Sequence, residues 1–139
     1  MIFSSIRIIT ADIQRLVKFY EAATGASFTW FTADFAELKT AAAALAIGST
    51  RTLALFGGDV AEAASNRSVI IEFRVEDVDA AYTRIPAETV VQQPTTMPWG
   101  NRSLLFRDPD GNLVNFFTPV TADARQRFGI AADNDENAA

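Results

Sequence analysis

Glu72, Glu37, Tyr20 and Tyr82 are the side chains in this sequence best suited to moving a proton. Of these, Glu72 is the candidate base, because both tyrosines fall at apolar-face helix positions and are expected in the core. The chain of 139 residues contains no histidine, so a histidine-based triad built on Ser4-Ser5 is impossible. It contains no cysteine either, which removes thiol nucleophiles, disulfides and zinc–thiolate centres. Gly57-Gly58 matches neither nucleotide-binding glycine fingerprint. Fixed cations remain: Arg74 has no obvious partner in the sequence and is the better candidate for holding an anionic or carbonyl group.

These residues belong to a pattern written twice. A β-branched strand at 5–10 leads to Asp12, which caps a helix carrying Ile13, Leu16, Val17, Tyr20 and Ala23 on one face and stopped by Gly25. Strands follow at 28–31, 35–40 and 43–47; 49–56 reads as either a short helix or a loop, and 57–66 as a linker. The second copy has a strand at 69–75, a helix capped by Asp77 and ended by Pro86, then strands at 89–93, 102–107 and 112–118. A short helix is expected at 121–128. In the last hairpin, Asp108 bonds its own backbone, Pro109 presets φ and Gly111 tolerates positive φ. The fold class is therefore α+β, with paired βαβββ modules forming a curved mixed sheet around a cleft and helices on the outer face. One domain is expected over 1–130, with modules at about 3–57 and 68–119 and a flexible acidic tail at 131–139.

Composition narrows the partners. The net charge is −5, with Asp133, Asp135 and Glu136 contributing three of the negatives, and no basic face suits nucleic acid. No apolar run is long enough to span a membrane, and residues 1–7 do not read as a signal peptide. A cytoplasmic location is expected.

Three stretches in order resemble the vicinal oxygen chelate superfamily, which includes glyoxalase I, extradiol dioxygenases, fosfomycin-resistance enzymes and bleomycin-resistance proteins. They are Thr10-Ala11-Asp12-Ile13 with Phe19-Tyr20, then Glu72 through Tyr82, then Phe106-Arg107-Asp108-Pro109-Asp110-Gly111-Asn112. The resemblance covers roughly residues 3–119. Trp99-Gly100-Asn101-Arg102 is closer to the bleomycin-resistance-like members.

The resemblance implies a metal held by His and Glu on the concave face. Carried over position by position, those ligands fall on Ser5, Ala46, Ile70 and Asn115. None is a carboxylate or an imidazole, so a His/Glu metalloenzyme is not expected, and no cofactor is assigned.

Alternation along the strands then sorts the faces. With Ser5 toward the cleft, so are Arg7 and Ile9; with Ile70, Glu72 and Arg74; with Asn115, Leu113 and Phe117. The capping aspartates set an offset of 65 residues, which also relates Arg7 to Glu72. They either orient a polar ligand or form a structural ion pair, and the pair is favoured because an unpaired buried charge is costly. Trp30, Phe28, Trp99 and Phe117 are available to wall a pocket, with Asn101 and Arg102 near its mouth.

The expected ligand-binding set is thus Arg7, Trp30, Glu72, Arg74, Trp99, Asn101, Asn115 and Phe117. The function expected is metal-free binding of an aromatic or amphiphilic small molecule. The alternatives are a metal-independent isomerase or lyase with Glu72 as base, or a regulatory protein with a vestigial cleft. The resemblance implies a homodimer.

Overall fold

A computed structural model of the protein describes residues 1–131. Most of the acidic tail, from residue 132 onward, lies outside the described residues. The elements are β1 (Ser5–Thr10), α1 (Ile13–Thr24), β2 (Thr29–Thr32), β3 (Phe35–Lys39) and β4 (Ala44–Ser49), followed by a 3-10 helix (Thr50–Phe56). Then come β5 (Ile70–Arg74), α2 (Val78–Tyr82), β6 (Val90–Thr96), β7 (Asn101–Arg107), β8 (Leu113–Pro119) and α3 (Ala122–Arg127).

The strands form two four-stranded mixed sheets, ordered β1-β4-β3-β2 and β5-β8-β7-β6. In the first, β1 runs parallel to β4, while β3 pairs antiparallel with both β4 and β2. This is the α+β arrangement of doubled β-α-β-β-β expected from the sequence.

The chain divides into two compact units, one of residues 1–71 with 107–113, the other of 72–106 with the chain from 114 onward. In unit 1, Asp12 caps α1 by accepting from the Arg15 N–H at 3.1 Å, and Gly25 ends it in the left-handed conformation. The buried stripe Ile13, Leu16, Val17, Tyr20 and Ala23 lies on one side of α1. Ile8, Ala36, Leu38, Leu45 and Ile47 are the buried residues of the sheet. In unit 2, Phe116 packs edge-on against Phe106 and Phe73, with centroids 4.9 and 5.4 Å apart.

β6 and α2 end away from the expected positions, and residues 50–56 take the helical one of the two alternatives. β6 continues to Thr96 through Pro94, because β6 is an edge strand with irregular pairing and tolerates a missing N–H there. Residues 50–56 form a 3-10 helix because the Ser49 hydroxyl accepts from the Arg51 N–H and Gly57 closes the far end at φ 99°. α2 stops at Tyr82, four residues short of Pro86, and finishes as i→i−3 turns through Ile85.

Candidate functional site

Burial follows the expected alternation. Ser5 and Arg7 on β1 and Ile70, Glu72 and Arg74 on β5 are exposed, whereas Ile8 and Ile71 are buried. On β8, Leu113 and Asn115 are half-buried, Val114 and Phe116 are buried, and Phe117 departs from the alternation by being buried too. Each sheet therefore has an apolar face and an open face.

On the open face of unit 1, Arg7 pairs in register with Ala46, which pairs with Glu37. One step along lie Ile9, Gly48 and Phe35. The Arg7 guanidinium lies 5.0 Å from the Phe35 ring centroid and 6.0 Å from that of Phe56, which the 3-10 helix delivers. Phe31 stacks at a tilt beside Phe35, centroids 5.9 Å apart, and is 61% exposed. Gly48 keeps the floor low, since a Cβ there would meet the Thr52 Oγ1 at 2.9 Å.

Trp30 does not join this face. It pairs with Ala36, whose face carries the buried Ile8 and Ile47, and a register shift follows it before Thr32. Phe31 takes the place expected of Trp30, and Phe28 is core. A separate cavity of about 220 Å³ lies along the β1 edge of unit 1, floored by Ile6, Ile8 and Ile71 and rimmed by Glu62, Ser65 and Asn66.

On the open face of unit 2, the Asn115 Nδ2 donates to the Glu72 Oε2 at 2.8 Å. The Asn115 Oδ1 is buried without a partner. In unit 2 the Glu72 carboxylate is met by a neutral amide, and in unit 1 the Arg7 guanidinium is met by aromatic faces.

Arg74 also has a partner. Its Nη1 donates to the Phe128 carbonyl at 3.2 Å, and its guanidinium lies 5.7 Å from that ring. Phe117 is buried against Phe128, centroids 5.4 Å apart. Asn101 is buried with its Oδ1 unpartnered, and Trp99 is 55% exposed at the tip of the β6–β7 hairpin. Arg102 points the other way, into a two-toothed pair with Asp79 of α2 at 2.9 Å for each bond, which holds the Asp79 carboxyl below its ordinary range. Phe31, Phe35, Phe56 and Phe128 are the residues that sequence reasoning missed. Phe35 was within reach of pairing parity; Phe128, on a terminal helix, carried no local signal.

The hairpin turn after β7 belongs to unit 1. Asp108, 4% exposed, accepts from the Tyr20 hydroxyl at 2.6 Å, the Asn112 Nδ2 at 2.7 Å and the backbone N–H groups of Asp110 and Asn112. Burial, with the Asp108 charge beside it, pushes the Tyr20 phenol far above its ordinary value. Tyr20 is core, as expected, with its hydroxyl engaged by Asp108. Tyr82 is half-buried on α2.

A family model described as the Glyoxalase/Bleomycin resistance protein/Dioxygenase superfamily matches residues 2–116. The chain belongs to this superfamily. YraH of Bacillus subtilis (strain 168), itself uncharacterised, is 26% identical over 120 residues, spanning 81% of this chain and 94% of the relative. A glyoxalase/bleomycin resistance protein/dioxygenase from Nocardioides has a similar structure, with TM-score 0.68 and 22% identity over 88% of this chain and 85% of its own. A family enzyme from Burkholderia phytofirmans PsJN gives TM-score 0.73 at 19% identity, over 86% of this chain and 100% of its own. At these identities the two structures share the superfamily fold with this chain.

The metal that the superfamily implies does not fit the residues present. Ser5 offers one hydroxyl, Ala46 and Ile70 offer no donor, and Asn115 offers a single carbonyl oxygen because its amide is committed to Glu72. Among the described residues, no three His, Cys, Asp or Glu side chains gather. Zinc, iron and manganese need imidazole, thiolate or clustered carboxylates. Among the described residues, no helix is long and apolar enough to cross a membrane.

Proposed function

We propose that this superfamily member binds a flat aromatic or amphiphilic small molecule on the open face of unit 1, without a transition metal. The observation that carries the reading is Arg7, an exposed guanidinium flanked by Phe35 and Phe56 over a floor of Ala46 and Gly48. Aromatic neighbours orient the guanidinium while its N–H fork stays free for a carboxylate or carbonyl. The exposed rings of Phe31 and Phe56 supply stacking area for the flat body of a ligand. Binding of this kind sequesters a compound and needs no chemical step. A cytoplasmic homodimer is the proposed setting, the dimer supported by the superfamily resemblance and by the exposed Leu55.

The test is a thermal-shift screen of aromatic acids, with and without EDTA, on the wild type and Arg7→Ala. A hit at a hundredfold excess over Kd adds about 2.7 kcal/mol of stability. The shift is expected to survive EDTA and to vanish in Arg7→Ala. Near-stoichiometric zinc, nickel, manganese or iron in the purified protein, with the shift lost on chelation, overturns the reading.

A second reading has one observation in its favour. Glu72 is exposed and its hydrogen-bond partner is the neutral amide of Asn115, which leaves it available as the base of a metal-independent isomerase or lyase. Turnover that Glu72→Gln abolishes and Arg7→Ala spares would select this alternative.

A further inference from the structure

The open face of unit 2 already holds an occupant. α3 ends with the Ile130 N–H on the Arg125 carbonyl at 2.8 Å, the Gly129 N–H on the Gln126 carbonyl at 3.0 Å, and Gly129 left-handed at φ 68°. This Schellman ending leaves the Phe128 carbonyl outside the helix's own hydrogen bonds and turned to Arg74. The Phe128 ring is pressed on Phe117 and lies under the guanidinium groups of both Arg74 and Arg127, the latter 5.0 Å from its centroid. Ring and carbonyl thus engage Phe117 and Arg74 together. Two carbons, Cβ and Cα, separate them.

We infer that Arg74 and Phe117 form a binding subsite for a 3-arylpropanoate, an aromatic ring two carbons from a carboxylate, and that Phe128 fills this subsite until such a ligand displaces it. The inference rests on the reading that the open sheet faces bind small molecules, and it adds a ligand class and a self-made competitor. A free carboxylate improves on the peptide carbonyl, because Arg74 then makes a charge-assisted pair where it now makes one bond to a neutral acceptor. Displacement is easy to reach. α3 has six residues, too few for a helix stable by itself. Among its described anchors are Ala124 and Thr121 against Gly100 and the half-buried Phe128 at the far end, while Arg125 bonds the Ala131 carbonyl of the same segment. Short segments with few buried contacts open at a small fraction of the global unfolding free energy.

The experiment titrates 3-phenylpropanoate into the full-length, isotope-labelled protein and follows the Arg74 Nε–H and the Phe117 amide by NMR. Phe128→Ala is expected to bind at least tenfold more tightly than the wild type, and Arg74→Gln to lose binding at this face. In the wild type, the probe is expected to speed hydrogen exchange of the Gly129 and Ile130 amides, the signature of an undocked helix end. Phe128→Leu, which keeps apolar bulk without the ring, serves if Phe128→Ala does not fold and is expected to fall between the two. Equal affinity of the wild type and the Phe128 variants, or shifts confined to Arg7 and Phe35, overturns the subsite and leaves the proposed function standing. Absence of binding by any aromatic acid anywhere removes both.

Discussion

The Tyr20 hydroxyl lies 2.6 Å from the Asp108 Oδ2, a hydrogen bond between residues 88 apart in sequence and buried at both ends. It joins the capped helix of unit 1 to the β7–β8 turn. Tyr20→Phe removes one of four donors to a carboxylate that solvent does not reach. A loss of about 2 kcal/mol is expected, the usual range for a buried hydrogen bond to a charged group. Urea unfolding with an unchanged m-value checks it.

The same phenol sets the alkaline limit. Burial first, then the neighbouring Asp108 charge, raises its pKa above the unfolded value near 10. The folded state therefore keeps a proton that the unfolded state releases. The stabilisation is complete below about pH 10 and is lost as pH rises beyond it. Tyr20→Phe is expected to flatten this part of the stability curve, as unfolding midpoints between pH 8 and 11 would show.

At the acid end the sign reverses. The hydrogen bonds from Arg102 lower the Asp79 pKa, so the stabilisation is present above the ordinary carboxylate range and is lost as pH falls through the folded pKa. The pair is largely exposed, which keeps its contribution small. Carboxyl carbon shifts are expected to show Asp79 titrating below the free value in the wild type and near it in Arg102→Gln.

Gly100 is the least replaceable glycine. Its φ is +92°, and a Cβ would collide with the Thr121 Oγ1 and approach the Ala124 Cβ to 2.9 Å. Gly100→Ala combines backbone strain with overpacking, and a loss of about 3 kcal/mol is expected. Because α3 rests on this spot, faster amide exchange in residues 122–130 should accompany the drop in Tm.

How far the sequence foretold the site differs from residue to residue. The faces of β1, β5 and β8 were legible because a half-buried strand announces its register through alternation. Asp108 was legible as a turn former, since its backbone partners are two and four residues away. Its bond to Tyr20 was not, because nothing local records a partner 88 residues distant. The face that Trp30 takes was not legible, because it is set by the β2–β3 pairing, which carries a register shift just after it. Arg74 looked free because its acceptor lies 54 residues downstream on a helix that shares no periodicity with the strands.

Unit 1 is assembled from two stretches of chain, 1–71 and 107–113, with 35 intervening residues that belong to unit 2. On the ribosome, the first repeat thus emerges well before the turn that its helix grips. The Tyr20–Asp108 bond can form only once translation has passed Asn112. A cut at the linker would leave the amino-terminal fragment without the Asp108 turn that completes unit 1, so the repeat boundary and the boundary of the compact unit fall at different places in the chain.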